Sequence, residues 1–213
     1  LGGGVTDSVL SRKEREYKRR REEILEAALS VFAERGYYGT TMAQISQQSE
    51  YPLGTIYKYF SGKEQIFHDM VMDRGLRLGR LIAEAASRKE LAPKDRAYAC
   101  LLANARFLRN NQAFVRVYIS LRSSVDMILP PDLNADINRL NDRMVETYTE
   151  IFQEGVEKGE FRPYPAEDLS ALFYGVIFSA IWPWVSGNKE AYDIEAWLNR
   201  AFELLTNGFC VSK

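Results

Sequence analysis

Histidine and cysteine are scarce in this chain, which has one histidine and two cysteines among its 213 residues. The single histidine, His68, has no second imidazole with which to build a conventional metal site or an acid–base pair. Cys100 and Cys210 form no CxxC motif and no metal-binding spacing, so they indicate a reducing compartment, and we expect the cytoplasm. We therefore expect no metal and no cofactor.

Long apolar runs and strand-like alternation are also missing. The longest apolar run, residues 169–185, is interrupted by Ser170, Tyr174 and Pro183, so it predicts a buried helix and no membrane partner. The opening Leu-Gly-Gly-Gly is followed by polar and basic residues, which predicts no signal peptide. Because helical spacing recurs instead of alternation, the sequence predicts an all-α fold.

A large net charge is absent as well, since the formal charge is −1, but the basic residues are unevenly distributed. Residues 12–21 contain seven Lys or Arg, among them Arg19 and Arg20. Such a segment is either a solvated tail or a contact with nucleic-acid phosphates, and a neighbouring DNA-binding motif would favour the second interpretation.

A motif of that kind follows. An apolar stripe at helical spacing, Ile24 to Phe32, ends near Gly36. Thr41 with Gln44, and Ser61 with Glu64, are capping-box patterns that mark two later helix starts. A short helix must lie between them.

That short helix covers residues 54–60. Ile56 and Phe60 are four residues apart and are expected to face the core. Thr55, Lys58 and Tyr59 then point outward, where a DNA groove would lie.

Roughly residues 20–70 resemble the N-terminal domain of the tetracycline-repressor (TetR/AcrR) family. The resemblance rests on these positions taken together: Gly36-Tyr37, Thr40-Thr41, Ile45, residues 54–60 and Lys63-Glu64. The resemblance implies a helix-turn-helix DNA-binding domain, a helical ligand-binding body and a homodimer. Carried over position by position, it implies that Thr40, Thr41 and Lys63 contact phosphates and that Gly54 lets the backbone approach DNA. It further implies contacts to bases or phosphates from Thr55, Tyr57, Lys58 and Tyr59. For Tyr57, partial burial of the ring remains an alternative.

The sequence departs from the family pattern at Pro52-Leu53, where Ser-Lys is common. A hydroxyl and a charge that would hold phosphate are missing there. Tyr51 and the basic segment are expected to supply the phosphate contacts that are missing at Pro52-Leu53. This difference also predicts an operator unlike those of well-studied relatives.

Beyond residue 62 we predict six further helices: 63–87, a helix from Pro93 to Asn110, 112–125, a long helix from Pro131 to Gly155 or Gly159, 166–186 and 192–207. The predicted fold is thus a three-helix DNA-binding domain (1–62) and a six-helix ligand-binding and dimerisation domain (63–213).

The second domain is rich in aromatic residues. Such stripes are usually core, yet their number also suits a cavity between helices with a few polar groups, for which Asn104, Arg106, Arg116 and Arg122 are candidates. The predicted ligand-binding residues are Phe107, Phe114, Tyr118, Tyr148, Phe152, Phe173 and Trp182.

Small and apolar residues at i, i+4 spacing predict a helix face for dimer contact or for packing within the chain. They are Gly175, Ser179 and Ala180 on the eighth helix, and Ala201, Leu204, Leu205 and Gly208 on the ninth.

These patterns predict a homodimeric, ligand-responsive repressor, released from a pseudo-palindromic double-stranded DNA operator by an unidentified small apolar or aromatic effector. Two alternatives remain: a small-molecule binding protein with a vestigial DNA-binding domain, and an enzyme working in the aromatic cavity. The sequence shows no paired acid, base or nucleophile, so we expect no enzyme.

Overall fold

The structure, a computed structural model, describes residues 11–123, 131–182 and 193–209. These residues form nine α-helices and no strand, which confirms the predicted all-α class. The helices are α1 (Arg12–Arg35), α2 (Met42–Ser49), α3 (Leu53–Ile56), α4 (Lys63–Ala86), α5 (Pro93–Asn110), α6 (Gln112–Ser123), α7 (Pro131–Glu157), α8 (Ala166–Ser179) and α9 (Ile194–Phe209).

Several helix ends differ from the predicted ones. The α8 helix ends at Ser179, where the predicted helix was continuous, and α9 ends at Phe209, two residues beyond its predicted end. The predicted ends at Val125 and at residues 183–186, and the predicted start at Tyr192, lie outside the described residues. The largest difference is at the N-terminus, because the basic segment is an ordered part of α1 and begins with a capping box between Ser11 and Glu14.

The chain divides into two compact units, of which the first ends at Met70 and the second begins at Val71. The boundary predicted at residue 62 therefore precedes the observed division. The physical reason is that the first two turns of α4 belong to the core of the first unit, where Ile66 and Met70 are fully buried and Phe67 packs edge-on against Phe32 of α1.

The helix-turn-helix begins as the sequence predicts. Thr41 Oγ1 accepts from Gln44 N–H and Gln44 Oε1 accepts from Thr41 N–H, which confirms that capping box. The second predicted box is different, because Ser61 N–H donates to Gln65 Oε1 at 2.6 Å, one residue beyond Glu64. Glu50 closes α2 in the left-handed region with φ 60°, a conformation that costs a non-glycine residue free energy.

In the second unit, α5, α7, α8 and α9 surround an apolar core. A part-buried ion pair joins three helices on one side: the buried Arg96 of α5 donates from Nε to the Ala86 carbonyl of α4 and from its guanidinium to the more accessible Glu154 of α7. Lys89 and Lys158 also contact this carboxylate, and these hydrogen bonds lower the pKa of Glu154 to about 2.

Candidate DNA interface and ligand cavity

The α3 helix is only one turn long; it begins at Leu53, and Pro52 is the N-cap residue that precedes it. A further turn extends it, because Tyr59 and Phe60 N–H both donate to the Ile56 carbonyl. Ile56 and Phe60 are buried, as predicted, and this anchors the turn against the core. The opposite side of residues 53–59 is the part that remains available to DNA.

Four predicted DNA-binding residues lie on accessible surface here. Gly54 and Lys58 are exposed, Thr55 is half-buried, and the Tyr57 ring is 52% exposed. A methyl group added to Gly54 would meet no atom within 4 Å, so the protein itself does not require glycine at this position. The exposure of Tyr57 argues against the alternative in which its ring packs inside.

Tyr51 and Tyr59 are held by α1 rather than pointing freely outward. The Tyr59 ring packs on Tyr17, with 4.8 Å between ring centroids. The Tyr51 hydroxyl donates to a Glu23 carboxylate oxygen, and this hydrogen bond raises the pKa of Tyr51. The first part of α1 thus supports both ends of the recognition segment, a role that the sequence pattern did not reveal because the partners are 28 or more residues apart.

Arg19 and Arg20 are engaged by carboxylates of the same helix. Arg19 contacts Glu16 at 2.9 Å and Glu23 at 2.6 Å, and Arg20 contacts Glu16 at 2.7 Å. The two arginines remain largely solvent-accessible, so phosphates can reach them. DNA must nevertheless compete with Glu16 and Glu23 for these guanidinium groups.

The side chain of Thr40 does not lie on the accessible surface where a phosphate contact was predicted. Its side chain is buried, with 1% exposure, and Oγ1 donates to the Gly36 carbonyl at 2.7 Å. The hydroxyl closes the end of α1 and is inaccessible to DNA. Thr41, by contrast, is exposed.

Lys63 also has a structural position. Its ammonium donates to the carbonyls of Tyr37 and Thr40, both at 3.0 Å, and lies 4.6 Å from the Tyr37 ring centroid. It fastens the α1–α2 turn to the start of α4. With two of three N–H groups used in this way, Lys63 has limited capacity for a phosphate.

A cavity of about 490 Å³ lies within the second unit, between helices α4 to α8. Its wall is mostly apolar, with Leu78 from α4 and residues of α5 to α8. This size and lining are typical of small-molecule sites. Its polar lining residues are Asn104, Tyr118, Asn138, Asn141, Asp142 and Tyr174.

The predicted ligand-binding aromatics fall into two groups. Phe107, Phe114 and Tyr118 line the cavity, and the last two rings stack with centroids 5.8 Å apart. The other four do not line it: Tyr148, Phe152 and Phe173 pack against one another in the core, and Trp182 is 63% exposed. The sequence pattern predicted that all seven line the cavity. Whether open space lies beside an inward-facing ring depends on how the neighbouring helices pack, and the sequence pattern does not give that packing. Tyr174, Phe178 and Met144 line the cavity and were not selected from the sequence.

The predicted dimer face is mostly accessible. Gly175, Ser179 and Gly208 are exposed, and Leu204 is 75% exposed. Ala180 is an exception, because it is fully buried within the chain. Leu172 and Phe178 of α8 add large exposed apolar side chains to the same helix.

In the described part of the chain no group of three or more His, Cys, Asp or Glu residues could hold a metal ion. No helix in these ranges is long and apolar enough to cross a membrane.

Residues 24–70 match the model of the family described as bacterial regulatory proteins, tetR family. Across 192 residues the chain is 31% identical to the fatty acid metabolism regulator protein of Bacillus subtilis, covering 87% of this chain and 93% of that protein. Among solved structures, the transcriptional regulator FadR from Bacillus subtilis in complex with stearoyl-CoA superposes with a TM-score of 0.75 at 24% identity, covering 88% of this chain and 98% of that one. The ketosteroid transcriptional regulator KstR2 of Mycobacterium tuberculosis gives a TM-score of 0.73 at 19% identity, with 91% and 96% covered.

The family-model match and the 31% identity to the Bacillus subtilis fatty acid metabolism regulator over 87% of this chain agree with the helix-turn-helix geometry. The chain therefore belongs to the tetR family of bacterial transcriptional regulators.

Proposed function

We propose that this regulator is a homodimeric repressor that binds a pseudo-palindromic operator and leaves it when a small, largely apolar molecule fills the cavity. The observation that carries the proposal is the course of α4. This helix begins beside the DNA-binding turn at Lys63 and continues to Leu78, which lines the cavity. An occupant that displaces Leu78 would therefore act on the helix that leads to the DNA-binding unit.

The release step follows from geometry. Two half-sites of an operator are separated by a fixed number of helical turns, so two recognition segments can bind together only at one separation. A shift of α4 changes that separation in a dimer, and one of the two contacts is then lost. The effector need not touch DNA. Relatives support a ligand with a large apolar part, since one solved regulator holds stearoyl-CoA, whose acyl chain is apolar, and another is named for ketosteroids.

The first experiment is to identify the operator by sequencing genomic DNA fragments that the purified protein retains. Binding to that operator and to random DNA is then measured by fluorescence anisotropy over a range of salt concentrations. A repressor of this class is expected to prefer the operator by about 10³-fold or more. Equal, weak binding to both DNAs would favour the alternative of a small-molecule binding protein with a vestigial DNA-binding domain.

We propose that the dimer forms through the exposed face of α8 and α9. Leu204 and Leu172 are large apolar side chains that a monomer would leave in water, which is typical of a contact surface. Leu204→Asp is expected to give a monomer in sedimentation velocity, because a carboxylate cannot be buried without a partner. The control is Leu76→Asp, at an exposed leucine of α4, which should stay dimeric. A dimeric Leu204→Asp protein would contradict this interface.

We propose no catalytic role. Burial raises the pKa of the Cys100 thiol to about 12, which removes it as a nucleophile at neutral pH. A regulator that binds chromosomal DNA acts in the cytoplasm, and we propose that location.

A further inference from the structure

We infer that the cavity selects an effector that donates a hydrogen bond, such as an alcohol or an amide, and that the side-chain oxygen of Asn104 accepts this hydrogen bond. The inference rests on the proposed function, because it specifies the effector of the same cavity. Asn104 of α5 lines the cavity and is only 4% exposed, so it is a buried polar group in a mostly apolar wall.

Two hydrogen bonds fix the orientation of the Asn104 amide. Its Nδ2 donates to the Cys100 carbonyl at 2.8 Å and to the Tyr148 hydroxyl at 2.9 Å. A backbone carbonyl can only accept, so the nitrogen must face Cys100 and the amide cannot be flipped. Burial raises the pKa of Tyr148, so this partner stays a neutral hydroxyl.

The fixed orientation leaves Oδ1 as the polar atom of the Asn104 side chain that can accept a hydrogen bond from a guest. Both N–H groups of the amide are used, and no described residue donates to the oxygen. This oxygen is not among the fully buried atoms that lack a partner, so it keeps accessible surface that water can reach. A guest that displaces that water must supply an O–H or N–H group, or the oxygen is left without a hydrogen bond, which costs free energy. A guest that offers only an acceptor would instead be repelled by this oxygen.

The other polar groups of the wall also disfavour an anion. Asn138, Asn141 and Asp142 share one face of α7 and line the cavity, and Asp142, which is solvent-exposed, adds a negative charge at its rim. None of the described lining residues is Lys, Arg or His. Arg74, a buried arginine of α4, has its guanidinium 5.4 Å from the Phe114 ring centroid but does not line the cavity. The described wall therefore offers amide and hydroxyl groups, which can donate or accept, and one carboxylate. A carboxylate or phosphate group on the guest would lack a cationic partner there.

Three ligands with the same alkyl chain test this selection: dodecanol, which donates a hydrogen bond, its methyl ether, which only accepts one, and dodecanoate, which is anionic. Binding to the purified protein is measured by isothermal titration calorimetry and by the rise in melting temperature. We expect dodecanol to bind about tenfold more tightly than the ether, because one hydrogen bond to a buried acceptor is at stake, and dodecanoate to bind more weakly than dodecanol.

Asn104→Leu should abolish the preference for the alcohol over the ether while keeping the apolar wall. The matched control is Asn111→Leu, since Asn111 also donates to the carbonyl four residues before it, Phe107, but does not line the cavity. This control should keep the preference. If Asn104→Leu does not fold by circular dichroism, Asn104→Ala replaces it, and the comparison of alcohol with ether in the unaltered protein still decides.

Equal affinity of the unaltered protein for alcohol and ether, tightest binding of dodecanoate, or no binding of any of the three ligands would each overturn the inference. A preference that survives in Asn104→Leu would assign the donor contact to another residue. Operator binding without ligand is measured separately, so failure of this selection is distinguishable from failure of the repressor proposal.

Discussion

Gly54→Ala separates the requirements of the protein from those of the DNA contact. The added methyl group would meet no protein atom within 4 Å, and alanine is a better helix former than glycine by about 0.5–1 kcal/mol. Because α3 is a single turn, we expect the lower end of this range. For a protein of this size that is a rise in melting temperature of about 1–2 °C.

DNA binding should change in the opposite direction. If the backbone of α3 approaches the operator at Gly54, the methyl group occupies space that DNA needs, and forcing it into a close contact costs about 1–3 kcal/mol. The expected loss in operator affinity is then roughly 5- to 150-fold. The measurements are thermal unfolding and fluorescence anisotropy with the identified operator, at one fixed salt concentration.

Two other glycines provide the comparison. Gly79 lies inside α4, and a methyl group there also meets nothing within 4 Å, so Gly79→Ala should be stabilising and leave operator affinity unchanged. A methyl group on Gly39 would lie 2.4 Å from the Arg35 carbonyl oxygen, so Gly39→Ala should be destabilised. A Gly54→Ala protein that gains stability and binds the operator normally would refute the close approach of α3.

Two further predictions concern charged groups. Glu16→Gln frees Arg19 and Arg20 from a competing carboxylate, so affinity for random DNA at low salt should rise and log K should depend more steeply on log salt, by up to about one unit. Glu22→Gln, at an exposed position of α1 with the same change in charge, is the control, and an equal effect of both would point to net charge alone. Hydrogen bonds from Lys158, Arg96 and Lys89 lower the pKa of Glu154 from 4.5 to about 2, so its stabilisation is complete above pH 4.5 and is lost as the pH falls toward 2. Glu154→Gln should lower the free energy of unfolding at pH 7 by about 1–3 kcal/mol, because the buried Arg96 loses its anionic partner, and urea denaturation should show a flatter pH dependence between those values. If the free energy of unfolding of Glu154→Gln depends on pH as steeply as that of the unaltered protein, another group is responsible for the acid sensitivity.

The sequence by itself determined the helical class and the position of the DNA-binding motif. Helical periodicity, the Thr41–Gln44 capping box and the burial of Ile56 and Phe60 are local properties, set by residues within a turn or two of one another. Local chemistry therefore sufficed to place them, and the structure confirms each one.

The tertiary structure decided the roles that depend on distant partners. The family resemblance implies phosphate contacts for Thr40 and Lys63. In the structure both side chains donate hydrogen bonds to carbonyls of the segment that follows α1, because the folded chain brings those carbonyls within reach. The sequence left open whether the basic segment is a solvated tail or a phosphate contact, whereas in the structure Tyr17 within it and Glu23 just after it contact residues of the recognition segment.

The cavity also depends on contacts between distant parts of the chain. Phe107 and Tyr148 are both aromatic residues on inward-facing sides of helices, and the sequence does not distinguish them. The packing of neighbouring helices leaves open space beside Phe107 and surrounds Tyr148 with protein. Asn104 carries no local signal that separates it from a solvent-facing asparagine. Its amide is oriented by two hydrogen bonds: one N–H group donates to the hydroxyl of Tyr148, 44 residues away, and the other donates to the Cys100 carbonyl. Periodicity fixes which side of a helix faces inward, whereas the contacts between helices fix whether that side meets protein or a guest.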